Sequence, residues 1–214
     1  MTLEADRLEA DARAAAPDAQ RARMGRAPVT THGELSHLAL ALFLERGFDK
    51  TTVDDIVRAA GIGRRTFFRY FASKNDLPWG DFERLLNEMR EHLAGVPDDV
   101  PLMEALRAAV VDFNRFPGEE LRFHRERMWL LLNVPSLVAH STLRYAAWRR
   151  VIAEYVAGRL DVQVDSLAPQ AIAWSCLGLC LAAYEQWLAH DDVDLLELLD
   201  ASFRRLADAH TSAA

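Results

Sequence analysis

The sequence predicts an all-α protein in which a small N-terminal three-helix unit precedes a larger helical body. Apolar residues recur at three- and four-residue steps through most of the chain, as they do along one face of a helix. Glycine or proline stands at most breaks between these segments, where helices end. The last third contains a long segment that is apolar on nearly all sides, as in a buried or shared helix. We expect about nine helices in total, among them one that Ser73 caps and one from Leu102 to about Phe116.

The stretch from His32 to Lys74 divides into three short helices. The first is amphipathic and ends at Gly47, a residue that tolerates a positive φ. The second begins with Thr51 or Thr52 as its N-cap and ends at Gly61, and a third helix follows two residues later. Two short helices joined by a tight glycine-containing turn, the second of them basic, are typical of a helix-turn-helix that reads DNA.

The third helix separates an apolar face from a basic one. Phe67, Tyr70 and Phe71 share the face that docks on the first two helices. The leading turn and the opposite face carry Arg64, Arg65, Thr66 and Arg69. Residues near the start of a recognition helix reach base edges, and the arginine fork matches two acceptors of guanine. The alternative is a solvated three-helix unit whose arginines are only surface charge.

The net charge of −7 conceals an uneven distribution of charge along the chain. Residues 21–74 contain ten Lys and Arg against five Asp and Glu, whereas residues 75–214 contain thirteen against twenty-two. A basic head attracts phosphates and an acidic body is repelled by them. The global sign of the charge therefore does not argue against DNA binding.

The run TTVDDIVRAAGIGRRTFFRYFASKNDL (residues 51–77) resembles the N-terminal domain of the TetR family of one-component transcription regulators. The resemblance is close over about residues 30–78 and implies that Thr66 and the positions just before it face bases. It implies phosphate contacts for Tyr70 and Lys74, with Thr52 helping at the cap of the second helix. The DNA-binding residues predicted in this way are Thr52, Gly63, Arg64, Arg65, Thr66, Phe68, Arg69, Tyr70 and Lys74.

Phe68 departs from the family pattern. Family members often have a tyrosine at this position, and its hydroxyl usually touches a phosphate. Phenylalanine lacks that hydroxyl, so Arg65 or Arg69 would have to supply the missing backbone contact.

We divide the chain into a mobile tail (residues 1–27), a helix-turn-helix domain (residues 28–74) and a ligand-binding and dimerisation domain (residues 75–214). The tail is rich in alanine and charge and has little apolar periodicity. Its arginines could follow a minor groove, or the tail is a disordered solubilising extension. The sequence from Met24 resembles a natural start, which would make the preceding residues an upstream extension.

The two C-terminal helices are predicted to pair two copies of the chain. Residues 169–190 are apolar nearly all round, and residues 195–209 carry leucine and phenylalanine at helical spacing. The small residues Ala173, Gly178, Ala182 and Ala183 would permit close helix approach. We expect a homodimer through a four-helix bundle, because a two-fold operator requires two heads. The alternative is that both helices complete the core of a monomer.

Large apolar residues on different helices of the body predict a pocket for a small apolar ligand. A core without a void is the alternative. The predicted ligand-binding residues are Phe113, Phe116, Met128, Leu132, Arg144, Trp148, Trp174, Leu177 and Tyr184. Arg144 opens the basic run 144–150, which would either grip an anionic head group or form ion pairs with Glu119, Glu120 or Glu126.

A second resemblance narrows the effector. The segments GIGRRTFFRYFASKNDLPWGDF, PDDVPLMEALRAAVVDFNRFP and STLRYAAWRRVIAEYVA resemble the TetR-family regulators of mycofactocin gene clusters. The resemblance implies a repressor of mycofactocin-type genes that responds to long-chain acyl-CoA. An apolar tunnel would take the acyl chain, and Arg144, Arg149 or Arg150 would meet the phosphates.

Other functional classes find little support in the sequence. No phosphate loop, nucleophile elbow or metal-type cysteine or histidine spacing occurs, so we expect no catalytic residues, no metal and no cofactor. Cys176 and Cys180 are expected to be buried in a reducing cytoplasm, and no run suggests a membrane span. The remaining alternative is a helical ligand-binding or scaffold protein whose basic head binds a protein partner.

Overall fold

The computed structural model describes residues 31–211, with side chains described through residue 206. Within that range the chain forms nine α-helices, one 3₁₀ helix and no strand, which confirms the predicted all-α class. The described chain divides into two compact units, one ending at Lys74 and one beginning at Asn75, which we call the head and the body. The predicted tail, its arginines and the domain boundary at residue 28 lie outside the described residues.

The head consists of α1 (His32–Arg46), α2 (Val53–Ala60) and α3 (Arg64–Tyr70). Each helix begins and ends where local chemistry requires. Thr31 and Thr52 form capping boxes at the starts of α1 and α2. Gly47 (φ 88°) and Gly61 (φ 68°) end the same two helices in conformations that residues with a Cβ rarely adopt. α2 packs on α1 and on α3.

The body begins with the 3₁₀ helix Lys74–Trp79. Its helices are α4 (Phe82–Ala94), α5 (Leu102–Phe113), α6 (Gly118–Asn133), α7 (Pro135–Leu160), α8 (Leu167–Ala189) and α9 (Leu195–Thr211). α8 packs mainly on α7 and α9, α5 packs on α4 and α9, and α6 packs on α7. The side chains of Cys176 and Cys180 are free thiols in this core, as expected. Burial raises the pKa of Cys176 to about 12.

Two predicted helix ends in the body were wrong. Asp81, rather than Ser73, caps α4, since its carboxylate accepts a hydrogen bond from the Arg84 backbone amide (3.4 Å). The helix expected to continue to about Phe116 instead ends at Phe113. The reason is Asn114, whose side-chain amide donates to the Val110 carbonyl oxygen (2.8 Å).

Candidate functional site

The recognition helix α3 is held by one buried ring and presents an exposed basic face. Phe67 is fully buried, and its ring lies 6.1 Å from that of Phe71. Gly63 is the N-cap, and no side chain caps this end of the helix. A Cβ at Gly63 would meet no atom within 4 Å, so the head itself leaves the space in front of α3 open. Thr66 is half-buried in the first turn, where it can still be reached.

The two leading arginines of α3 differ in their surroundings. Arg64 forms an ion pair with Asp54 of α2 (Nη1–Oδ1 2.7 Å), and both side chains are exposed. Arg65 is exposed and forms no hydrogen bond or ion pair with any residue in the described range. An exposed pair is worth little and is easily exchanged. Arg64 must therefore leave Asp54 to reach a base, whereas Arg65 is already available.

Phe68 and Arg69 complete the outward face of α3. The Phe68 ring is 47% exposed although it is apolar, and the Arg64 guanidinium lies 5.8 Å from its centre. Arg69 lies over the ring of Tyr70 (5.0 Å), and its guanidinium also donates to the Tyr70 hydroxyl (3.4 Å). The predicted Arg69 and Tyr70 thus lie together at the end of α3.

Thr52 and Lys74, both predicted to touch phosphates, have partners within the head. The Thr52 hydroxyl donates to Asp55 Oδ2 (2.6 Å), which lowers the pKa of that carboxyl. Lys74 Nζ donates to the carbonyl oxygens of Phe48 (2.8 Å) and Thr51 (3.0 Å). These bonds hold the loop between α1 and α2. The two hydrogen bonds of Lys74 could not be predicted from the sequence, because they join residues 26 and 23 positions apart.

The body contains an apolar cavity of about 80 Å³ between its helices. Six of the nine predicted ligand-binding residues line it: Phe113, Phe116, Met128, Trp148, Leu177 and Tyr184. They come from α5, α6, α7, α8 and the loop between α5 and α6, so the structure brings together residues that are far apart in sequence. The sequence prediction of an apolar pocket thus corresponds to a cavity at that place.

The other three predicted ligand-binding residues do not lie on this cavity. Arg144 forms ion pairs with Asp76 (2.8 Å) and Glu83 (3.1 Å). Trp174 is 58% exposed on the outside of α8, with the Arg149 guanidinium 3.5 Å from its ring centre. Leu132 lines a separate surface groove. The assignment of these three residues to ligand binding stays a prediction, although apolarity alone could not show that the Trp174 ring faces outward.

Two arginines of the basic run 144–150, Arg144 and Arg150, form ion pairs, although with different partners from those expected, whereas Arg149 forms none with a described residue. Arg150 pairs with Glu154 (2.7 Å) and with Asp165 (3.6 Å), rather than with Glu119, Glu120 or Glu126. The charges of Arg144 and Arg150 are therefore already matched by carboxylates.

A buried chain of polar groups that the sequence did not reveal forms one wall of the cavity. The Asn114 amide is oriented by its bond to Val110, so its oxygen accepts from the Tyr184 hydroxyl. Tyr184 in turn accepts from His124 Nε2 (2.9 Å). His124 is buried, its ring stacks on Phe116, and its Nδ1 has no partner in the described chain. The sequence did not distinguish His124 from the six other histidines, because the sequence around a single histidine does not show what surrounds it in the fold.

Three more cavity residues were missed by the sequence analysis. Trp79, Arg127 and Tyr145 each have a buried donor atom that makes no hydrogen bond within the described residues: Nε1, Nε and the hydroxyl, respectively. Buried polar atoms are normally satisfied, so such groups need an explanation. The sequence analysis did not single out these residues, because they stand within longer amphipathic patterns.

Folding stability should depend on pH through His124. Burial, together with the nearby Arg127 charge, lowers the pKa of His124 from 6.5 to about 3. The unfolded chain takes up this proton below about pH 6.5 and the folded protein does not. The free energy of unfolding should therefore fall as the pH drops from 6.5 towards 3, by up to about 1.4 kcal/mol per pH unit.

Urea denaturation at pH 7, 6 and 5 tests this expectation, with His124→Gln as the comparison. The variant lacks the titrating group, so its free energy of unfolding should decline less over this range. Equal declines for the two proteins would show that His124 does not make this contribution.

One face of α8 is apolar and exposed. It carries Leu167, Ala171, Trp174, Gly178 and Ala182, spaced by three or four residues, which we call the α8 stripe. Leu167 is 84% exposed. By contrast, α9 buries Leu195, Leu199 and Phe203 within its own body. An exposed apolar face of this kind marks an interaction surface.

Neither a metal site nor a clear membrane segment emerges from residues 31–211. These residues contain no group of three or more His, Cys, Asp or Glu that could hold a metal ion. α8 is long and apolar enough to cross a membrane by length and composition, a property that core helices of soluble proteins share. Its packing on α7 and α9 is that of a core helix.

Two family models match the chain. The one described as "Bacterial regulatory proteins, tetR family" matches residues 36–77, and the one described as "MftR C-terminal domain" matches residues 100–211. A Mycobacterium tuberculosis protein provisionally named mycofactocin biosynthesis transcriptional regulator MftR is 46% identical over 181 residues. That alignment covers 85% of this chain and 91% of the relative.

Solved structures share the fold. FadR from Thermus thermophilus, a TetR-family repressor in complex with lauroyl-CoA, superposes with a TM-score of 0.52 at 23% identity, covering 83% of this chain and 93% of that one. The fatty acid degradation regulator FadR from Bacillus halodurans gives a TM-score of 0.59 at 16% identity, covering 84% and 95%. At these identities the likeness establishes the fold alone.

Proposed function

This chain belongs to the TetR family of transcriptional regulators, and we propose that it is a homodimeric repressor whose effector releases it from an operator. On this proposal residues 28–74 form the DNA-binding domain and residues 75–214 the effector-binding and dimerisation domain. It acts in the cytoplasm, where the operator is. The observation that carries the proposal is the exposed basic face of α3, positioned by the buried Phe67.

The two recognition helices of a dimer enter successive major grooves of a two-fold operator. Arg65 reads a base directly, and Arg64 does so after exchanging Asp54 for the base edge. Gly63 leaves room for the DNA to approach the start of α3, since a side chain there would project into open space. Thr52, Phe68, Arg69, Tyr70 and Lys74 contribute to the rest of the DNA-facing surface.

Replacing Arg65 with alanine is expected to cost about 1–3 kcal/mol of operator binding, if its fork pairs with guanine. Arg46→Ala is the matched control, because it removes one exposed positive charge of the head from the end of α1. Fluorescence polarisation with operator DNA at two salt concentrations separates the two effects. Equal losses for both variants would mean that Arg65 contributes only charge and reads no base.

The α8 stripe is the proposed centre of the homodimer interface. Burying its apolar face in a second copy removes Leu167 and Trp174 from water, which favours association. Gly178 and Ala182 allow the two α8 helices to approach closely. α9 contributes to the same four-helix bundle through its outward side.

The apolar cavity of the body is the place where the proposed effector site begins. Ligand pockets usually have volumes of about 300–1,000 Å³, so a cavity of about 80 Å³ must widen to hold an acyl chain. An adjoining groove of about 600 Å³ shares Leu131, Tyr145 and Leu181 with the cavity. Movement of these wall residues would join the two spaces. An effector that binds the widened form better shifts the protein towards it and away from the operator.

We infer long-chain acyl-CoA as the effector and mycofactocin-type genes as the target. The name of the relative in Mycobacterium tuberculosis supports the target genes, and the lauroyl-CoA bound to a regulator of the same fold supports the effector more weakly. The test is binding of the protein to DNA from its own upstream intergenic region, measured at two salt concentrations with and without oleoyl-CoA. Salt-sensitive binding that oleoyl-CoA releases would support the proposal. DNA binding that oleoyl-CoA does not change would refute acyl-CoA as the effector. The absence of specific DNA binding would favour a protein partner for the head.

A further inference from the structure

We propose that Trp79, Arg127 and Tyr145 form a donor cluster that binds the acyl oxygen of the effector inside the body. This inference rests on the proposed function in one respect, that the effector's apolar chain occupies the same cavity. It assigns the polar contact to residues other than the basic run 144–150. The shared ligand chemistry is an oxygen acceptor at the head of a long apolar chain, as in a thioester carbonyl or a carboxylate.

The first support is the chemistry of the three groups. Indole Nε1–H and guanidinium Nε–H can only donate, and the tyrosine hydroxyl can donate as well. The Trp79 and Arg127 atoms are buried and make no hydrogen bond to any described residue, and the buried Tyr145 hydroxyl has only a poorly aligned interaction with Ser141. All three side chains line a single cavity. A buried donor without a partner costs about 1–3 kcal/mol. Three donors around one apolar space are complementary to an oxygen that a ligand brings.

The second support is the position of these groups relative to one another. The rings of Trp79 and Tyr145 lie at right angles with centres 5.7 Å apart. The Arg127 guanidinium lies next to Gly80, since a Cβ built on Gly80 would be 3.7 Å from its Nη2 atom. Gly80 directly follows Trp79 in the chain, so Arg127 also lies near Trp79. The three groups therefore lie near one another on the wall of the cavity, which Leu177 and Met128 also line.

The third support is the charge of Arg127. Burial lowers the pKa of Arg127, and the charge of the Glu120 carboxylate partly offsets this effect. Arg144, by contrast, has its charge matched by Asp76 and Glu83. A cation held in an apolar wall strengthens a hydrogen bond to an acyl oxygen, because charge-assisted bonds are about twice as strong as neutral ones.

The His124 side chain determines which kind of ligand group can bind next to it. Its Nε2 donates to Tyr184, so its unpaired Nδ1 is an acceptor in the neutral ring. An acyl oxygen therefore belongs at the donor cluster and not at His124. A ligand N–H or O–H further along the molecule would suit Nδ1.

Conservative variants test the cluster without disturbing the fold. Trp79→Phe and Tyr145→Phe each remove one unpaired donor and keep an aromatic ring, and Arg127→Met removes the charged donor. Since these donors have no partner in the protein, their removal should leave the melting temperature unchanged or raise it. Tyr155→Phe is the matched control, because the Tyr155 hydroxyl has a partner in Arg159 (2.7 Å) and lies away from the cavity.

Isothermal titration of the full-length protein, without DNA, would measure binding of oleoyl-CoA and of oleate separately. We expect Trp79→Phe and Tyr145→Phe to weaken binding about 2- to 10-fold and Arg127→Met about 10- to 100-fold. Tyr155→Phe should bind as the wild type does. Weakening seen only with oleoyl-CoA identifies a thioester carbonyl at the cluster, and weakening seen only with oleate identifies a carboxylate.

Two outcomes would overturn the inference and are distinguishable from each other. Unchanged affinity in all three cluster variants would remove the donor cluster from the binding site and leave the proposed function standing. Failure of the wild type to bind either compound would overturn both the cluster and the proposed effector. Operator binding by the same preparations would show whether the DNA-reading half of the proposal survives.

Discussion

Gly178→Arg is expected to leave each protomer folded and to reduce operator affinity about 100- to 10,000-fold. Gly178 is an exposed residue of α8, and a Cβ there would meet no atom within 4 Å, so arginine fits the protomer. In a dimer the same side chain would place a charge in the centre of the α8 stripe, where it would be buried without a partner. Loss of the dimer removes the second head and with it the gain from simultaneous binding to two half-sites.

Light scattering after size-exclusion chromatography would measure the mass, and fluorescence polarisation would measure operator affinity. Gly158→Arg is the matched control, since Gly158 is an exposed glycine of α7 with equally open surroundings. It should remain dimeric and bind the operator normally. A dimeric Gly178→Arg with normal affinity would place the interface elsewhere.

Phe67→Ala is expected to unfold the head and abolish operator binding. Its ring is fully buried and fixes α3, and truncating such a phenylalanine costs about 3–5 kcal/mol. A unit as small as the head has a free energy of unfolding of about this size. The body has its own core, so its helices should remain protected.

Hydrogen exchange resolved by segment would test this, because residues 32–70 should lose protection while α7 and α8 keep theirs. Phe68→Ala is the matched control, since the neighbouring Phe68 ring is 47% exposed and its truncation should change stability by only about 0.5 kcal/mol. Protection of α3 that is unchanged in Phe67→Ala would contradict the assigned role of this ring in the head.

The fold of this protein could be predicted from its sequence because the signals involved are local. Gly47 and Gly61 end helices through their own backbone freedom, and Thr52 caps α2 through a residue three positions away. The two errors in helix ends came from capping side chains, those of Asp81 and Asn114, which the apolar pattern does not reveal.

The candidate site could be predicted only in part, because its decisive contacts join distant residues. The spacing of apolar residues predicted six of the cavity residues. It did not show that the Trp174 ring faces outward or that Arg144 is paired with Asp76. The same limit hid Arg127, which looks in the sequence like any charged residue of an amphipathic helix. Whether a donor is unpaired becomes visible only once the fold brings its neighbours together.

The central claim is that operator binding and effector binding compete through two forms of one protein. Thermodynamic linkage then requires that oleoyl-CoA weakens operator binding by the same factor by which operator DNA weakens oleoyl-CoA binding. Titrating each ligand in the absence and in the saturating presence of the other measures both factors. We predict equal factors of about 5- to 150-fold. Operator affinity that does not change at saturating oleoyl-CoA would contradict the account.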